Sequence, residues 1–194
     1  MGDKNFADTK IKFGGYTRNS YTGTAEDTTT TGAMIVLLTE GDDHGELGEW
    51  GKKIDEAANG VLKTLIKDEN FEAKAGEFRI LPKSVCAEAG TKYDFIMAVG
   101  VGTPENLTSA WWDDIGRQIT HAAQNTEGYV TVMVEETLGN EHELPLIAAR
   151  IGLGAYEIDR RFDNLRKGLT LALPKTMVEE ARKAFLHLVA ESTW

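Results

Sequence analysis

Ala33-Met34-Ile35-Val36-Leu37-Leu38 is an unbroken apolar run with turn-forming residues on either side, Gly32 before it and Gly41-Asp42-Asp43-His44-Gly45 after it. It is far too short to span a bilayer. It also lacks the in-out alternation of a strand with one wet face. Such a run suits a strand buried on both faces, as in a mostly parallel sheet. That constrains the rest of the chain, which must supply helices for both sides of the sheet.

The sequence supplies them in alternation with further strands. Leu47, Trp50, Ile54, Ala57, Ala58, Val61, Leu62 and Leu65 recur at three- and four-residue steps, which predicts one helix. Glu46 and Glu49 near its start and Lys63 and Lys67 near its end suit the helix dipole. Phe78-Arg79-Ile80-Leu81 reads as a short strand stopped by Pro82, and Tyr93–Val101 as the next buried strand. Thr103 and Pro104 are expected to open a helix whose inner stripe is Trp112, Ile115, Ile119, Ala122 and Ala123. Tyr129–Val134 is a β-branched strand. A third helix starts between His142 and Pro145 and carries Ile147, Ala148, Ile151, Ala155 and Ile158; Gly152 and Gly154 within it point to close packing or an early end. Leu169–Leu173 is a last strand, and Met177–Glu191 a last amphipathic helix. At the other end, Ile11, Phe13 and Tyr16 suggest one edge strand, and Thr22–Thr31 has almost nothing to bury, so it reads as a mobile segment. The expected architecture is an α/β fold, a three-layer αβα sandwich with a mixed, largely parallel sheet. The expected divisions are 1–31 (edge strand and Thr-rich segment), 32–174 (α/β domain) and 175–194 (C-terminal helix).

Charge and cysteine content narrow the functional classes. The formal net charge is −10, which opposes nucleic acid in general. The densest basic run, Arg160-Arg161 with Arg166-Lys167, is diluted by Asp159 and Asp163 and reads as a solvated helix end. Met1–Phe6 lacks the pattern of a secretory signal, and no membrane partner is expected. Cys86 is the single cysteine, so neither an internal disulfide nor a multi-thiolate metal site is available, and a reducing cytoplasmic setting is expected.

No cluster of reactive side chains emerges from the sequence. Val99-Gly100-Val101-Gly102-Thr103-Pro104 follows a strand as a phosphate-binding turn would, but Glu105 stands where the dinucleotide pattern needs its third glycine. Its plainer reading is a tight strand-to-helix turn. Glu141-His142-Glu143 lacks a second histidine, since position 146 is Leu146, so it reads as a polar helix start. Asp42-Asp43 lies where open α/β sheets often build sites, yet reads as a solvated turn. Asp113-Asp114 reads as a pair of surface residues, His44, His121 and His187 are scattered, and Ser84, Ser109 and Ser192 have no nucleophile-elbow setting. Only one of Trp111 and Trp112 can face the core squarely; either the other marks a contact surface, or both are partly buried under a loop. No catalytic, cofactor-binding or metal-binding residue is therefore assigned in this chain.

The order of several landmarks resembles the N-terminal domain of the leucyl (cytosol) aminopeptidase family, the M17 metallopeptidases. They are Ile54-Asp55 with Ala58 and Gly60-Val61-Leu62; Phe71, Lys74 and Gly76-Glu77; Val99-Gly100-Val101-Gly102 with Gly116; and Leu153-Gly154-Ala155-Tyr156 with Ile158-Asp159. The likeness spans roughly residues 32–164. It departs from the family at Arg161-Phe162, where "FDxYK" is usual, and at Ala149-Arg150, where Glu-Gly is usual. The resemblance implies a macro-domain-like fold and a non-catalytic part in assembly or regulation. It implies that the parent activity is removal of N-terminal residues such as Leu from peptides. The two divalent metals, Zn or Mn, would sit in a C-terminal catalytic domain carrying the "NTDAEGR" signature, which is absent here. Expected partners are that catalytic domain and sister subunits of a hexamer. A free-standing macro-like module that binds ADP-ribose through the Gly100–Thr103 turn is the alternative.

Overall fold

The computed structural model describes residues 9–16, 21–22, 32–40, 47–57, 59–68, 70–88 and 93–192. The Thr-rich residues 23–31 and the turn with Asp42, Asp43 and His44 lie outside the described residues. Seven strands form one sheet among the described residues: β1 (Ile11–Tyr16), β2 (Tyr21–Thr22), β3 (Ala33–Thr39), β4 (Phe78–Pro82), β5 (Phe95–Gly102), β6 (Val130–Met133) and β7 (Leu169–Pro174). Their order is β2-β1-β7-β6-β3-β5-β4. The pairings β1–β7, β7–β6, β6–β3 and β3–β5 are parallel, and β4 and β2 pair antiparallel at the two ends. The helices are α1 (Glu49–Ala57), α2 (Val61–Asp68), α3 (Lys83–Glu88), α4 (Ser109–Ala122), α5 (Leu144–Phe162) and α6 (Val178–Ser192). This is the expected three-layer sandwich with a mixed, mostly parallel sheet.

The apolar run of β3 behaves as its composition demands. Ala33, Ile35 and Leu37 enter one core with α4, α5 and α6; Val36 and Leu38 enter the other with α1, α2 and α3. β5 divides the same way, with Met97, Val99 and Val101 on the first side and Ile96 and Ala98 on the second. The period-two geometry of a strand sends successive side chains to opposite faces, so both faces must be covered. Among the described residues β1 has only the two-residue β2 beyond it, and its full length pairs with β7. Ala181, Phe185 and Val189 of α6 belong to the same core as β1 and β7.

The long first helix predicted from periodicity is two helices. Asn59 and Gly60 both have positive φ, 54° and 78°. Gly60 N–H donates to Asp55 O (2.8 Å) and Asn59 N–H to Glu56 O (3.1 Å), the paired bonds that close a helix in a Schellman turn. The buried Asp55 carboxylate then accepts Lys63 N–H (2.8 Å), tying α1 to α2. Periodicity runs through the break because both helices face the same core. A second correction concerns α4, which begins at Ser109; Thr103 and Pro104 open a separate 3-10 turn, Pro104–Asn106, and Thr103 makes no side-chain cap bond. The sequence reading also lacked α3, a single short turn after Pro82 that buries Cys86.

Gly154 marks close packing, and α5 runs on past it to Phe162. A Cβ on Gly154 would lie 1.9 Å from Asp113 O, and one on Gly116 would lie 2.0 Å from Ile151 O. The backbones of α4 and α5 touch there. Gly116→Ala or Gly154→Ala is therefore expected to destabilise the fold by at least about 2 kcal/mol, because backbone on a packed helix cannot yield as a side chain can. Gly60→Ala has open space around it and is expected to lose only about 1 kcal/mol, for the left-handed backbone. Urea-unfolding midpoints of the three variants measure the contrast.

Candidate functional site

In open α/β sheets the crevice at the carboxyl ends of the strands is where ligands bind, at the point where strand order reverses. Here β5 and β6 lie on opposite sides of β3. The mouth so formed is bordered by the ends of β1, β3, β5 and β6 and by the start of α1.

The Gly100–Thr103 turn does not hold its amides toward that mouth. Gly100 N–H donates to Glu77 O (2.7 Å) and Gly102 N–H to Ala73 O (2.7 Å). Gly100 O accepts Gly76 N–H and Gly102 O accepts Glu40 N–H. A Cβ on Gly100 would lie 2.4 Å from Lys74 O. The glycine therefore serves close approach of the 73–77 segment, and Gly102 takes the φ of +64° that ends the strand. Both glycine amides of the turn are hydrogen-bonded to protein.

The start of α1 is closed in the same fashion, by a side chain that the sequence did not single out. Glu135, immediately beyond β6, is only 4% exposed. Its Oε1 accepts Trp50 N–H (2.6 Å) and its Oε2 accepts Gly51 N–H (3.2 Å). A helix N-terminus favours an anion, and here the anion is part of the chain. Gly48 is needed beside it, since a Cβ there would lie 2.6 Å from the carboxylate. Burial pushes the Glu135 carboxyl above its ordinary value, the two amide hydrogen bonds oppose this, and Glu49 adds to it. Nothing in sequence separates Glu135 from its exposed neighbour Glu136; only the fold brings it to α1.

Around this carboxylate lies a small cavity of about 190 Å³ lined by Tyr16, Glu49, Trp50, Glu135, Glu136 and Thr137. Tyr16 Oη donates to Val134 O (2.9 Å), and its ring lies 5.6 Å from that of Trp50. Burial raises the Tyr16 pKa, with Glu135, Glu136 and Glu49 adding to the effect. A phenol held neutral in this way is a poor nucleophile at neutral pH. The lining is acidic and aromatic, which disfavours a phosphate ligand.

The remaining candidates are dispersed. His142 is exposed beside Glu141, and its segment forms the turn that leads into α5. Asn140 Oδ1 accepts the N–H groups of His142 and Glu143, and Glu143 Oε1 accepts Asn140 N–H, a reciprocal capping arrangement. His187 pairs with Glu191. Buried Cys86 donates its thiol to Leu81 O. Asp113 is a correction: it is 9% exposed, not a surface residue, and its Oδ2 lies 3.5 Å from Arg150 Nη1. Burial raises its pKa, and Arg150 and then Arg117 work against that. Of the two readings for the tryptophans, the structure has the divided one, Trp112 at 5% and Trp111 at 41% exposed. Among the described residues no group of three or more His, Cys, Asp or Glu is placed to hold a metal ion. The two-metal set implied by the resemblance therefore finds no fit in them. No described helix is long and apolar enough to cross a membrane.

Comparison with known proteins gives this geometry a setting. A family model described as the cytosol aminopeptidase family, N-terminal domain, matches residues 35–167. A probable cytosol aminopeptidase from Chelativorans sp. (strain BNC1) is 34% identical over 135 residues, 70% of this chain and 25% of that protein. The chain thus spans about a quarter of that relative's length. A tomato leucine aminopeptidase mutant superposes with a TM-score of 0.58 at 18% identity, over 96% of this chain and 37% of that one. An Oceanobacillus iheyensis macrodomain with ADP gives 0.58 at 16% identity, over 83% and 86%. A Trypanosoma brucei macrodomain in complex with ADP-ribose gives 0.56 at 14%, over 81% and 62%. At these identities the structural likeness establishes the fold alone, which is macrodomain-like.

The Glu135 carboxyl has a testable signature. Its folded pKa lies above the ordinary 4.5, so the folded state binds this proton more readily than the unfolded chain does. Its contribution to stability therefore rises as pH falls from neutral through the raised value toward 4.5. The urea midpoint of wild type is expected to gain on that of Glu135→Gln as pH is lowered through this window. A gain in the opposite direction would mean the two amide hydrogen bonds outweigh burial.

Proposed function

The chain belongs to the cytosol aminopeptidase family as its N-terminal domain, and on that premise we propose that its own work is non-catalytic. In this reading it serves assembly and regulation of a cytoplasmic metalloaminopeptidase that removes N-terminal residues such as leucine from peptides. The two divalent metals and the catalytic groups belong to a C-terminal domain, and the chain's partners are that domain and sister subunits of a hexamer. The division at 32–174, with a C-terminal helix leading toward the catalytic part, belongs to the same proposal.

The observation that carries the reading is the way the mouth of the sheet is filled. Backbone amides at strand ends and helix starts, such as those of Gly100, Gly102, Trp50 and Gly51, are groups with which an α/β mouth grips an anionic ligand. All four are bonded to the chain itself, the last two by Glu135. A mouth closed internally suits a domain that acts through its surfaces. The ADP-ribose alternative rests on fold likeness and meets an acidic lining.

Two assays test this. The purified 194-residue chain, supplied with Mn or Zn, is expected to release no p-nitroaniline from a leucine anilide above the buffer rate; sustained turnover abolished by a chelator would overturn the proposal. Calorimetry with millimolar ADP-ribose is expected to give no binding heat, and a saturable isotherm would restore the alternative.

A further inference from the structure

The opposite end of the sheet has the reverse character. α5 returns from the mouth to the edge where the strands begin, and there its last turns, the middle of α4 and the end of α6 enclose a cleft of about 570 Å³. Arg117, Tyr156, Glu157, Arg160 and Arg161 line it, with Ser192 at its margin. In a chain of net charge −10, a cleft with three guanidinium groups reverses the local sign.

The carboxylates nearby do not cancel those charges equally. Glu157 Oε2 is held by Arg117, at 3.1 Å from Nε and 2.8 Å from Nη2, and Arg117 also pairs with Asp114. Asp159 and Asp163, which dilute the basic run in sequence, face another way. Asp163 accepts Lys10 Nζ at 2.5 Å, and Asp159 accepts Leu165 N–H at 2.8 Å with Lys10 at 3.8 Å. Among the described residues no carboxylate pairs with Arg160 or Arg161. Phe162, in the same turn, is 61% exposed, and Tyr156 forms part of the cleft wall.

Unpaired arginines beside aromatic rings are the composition of a protein-docking surface. Guanidinium is weakly hydrated and presents a planar fork that matches a carboxylate. We propose that this basal cleft docks an acidic segment of a partner protein, its carboxylates held by Arg160 and Arg161, with apolar side chains meeting Tyr156 in the cleft and the exposed Phe162 at its border. The claim goes beyond the assembly role above by fixing the surface and the chemistry of the partner, and it stands or falls apart from the peptidase assay.

The test is fluorescence anisotropy with a fluorescein-labelled dodecapeptide of glutamates and leucines, and with its lysine-for-glutamate counterpart as control. The glutamate peptide is expected to bind at low salt and to weaken as salt rises. Arg160→Glu with Arg161→Glu should weaken it about tenfold or more, Phe162→Ala severalfold, and Arg182→Glu on the exposed face of α6 not at all. Circular dichroism checks folding, and Arg160→Gln with Arg161→Gln replaces the reversal should it fail to fold. Absence of binding at low salt, equal binding by the double variant, or equal binding of the lysine peptide overturns the proposal. So does full displacement by pyrophosphate at the peptide's own concentration, which identifies a small-anion site instead.

Discussion

One contact governs the layer of helices that covers the first core: α4 and α5 meet backbone to backbone at Gly116 and Gly154. With no side chain between them, the helix axes approach closely enough for Trp112, Ile115 and Ile119 of α4 and Ile147, Ile151 and Ala155 of α5 to enter one core with β3, β5, β6 and β7. A wider spacing would lift one helix off the sheet and leave part of an apolar face without a partner. Close packing has a polar corollary. It draws Asp113 into the seam, where Arg150 offers its only side-chain partner and Oδ1 is left without one among the described residues. The geometry gained from two absent Cβ atoms thus carries a buried charge with it.

The two ends of the sheet follow from the same arrangement. Helices that return antiparallel to the strands put their N-termini at one edge and their C-termini at the other. At the mouth, the dipole of α1 meets the chain's own carboxylate. At the base, the end of α5 gathers arginines in its last turn, where cations suit the negative end of a helix. Placement that stabilises the helix also sorts charge, acidic above and basic below, in a chain whose overall charge is negative.

Much of this was legible in the residues. The Ala33–Leu38 run identified the central strand because only a doubly covered strand tolerates it. The stripes of α4, α5 and α6 were plain because each helix buries one face against a single core. The landmarks around Gly100, Gly116 and Leu153–Asp159 were enough to point to the family that the comparisons support. What stayed hidden depends on contacts distant in sequence. Asn59-Gly60 is a turn dipeptide, yet the apolar period crosses it unbroken, and the period outweighed the turn. α3 is too short to show a period. Glu135 looks like any acid after a strand until the sheet brings it to α1. Asp113 looks like its neighbour Asp114 until a glycine lets α5 close over it.

The parallel pairing of β1 with β7 has a consequence in time rather than in space. Ile11 sits beside Leu169, and Tyr16 beside Pro174. Beyond its short pairing with β2, β1 therefore gains its parallel neighbour only after the residues up to β7 have left the ribosome, and closing so large a loop is an entropic burden that local helix formation does not share. The segment of β3, β5 and β6 with its helices can assemble earlier, while β1, whose Ile11 and Phe13 belong to the core, waits exposed. Apolar surface and strand edges left open during synthesis are where misassembly starts. The emergence of β7 thus determines when β1 is covered.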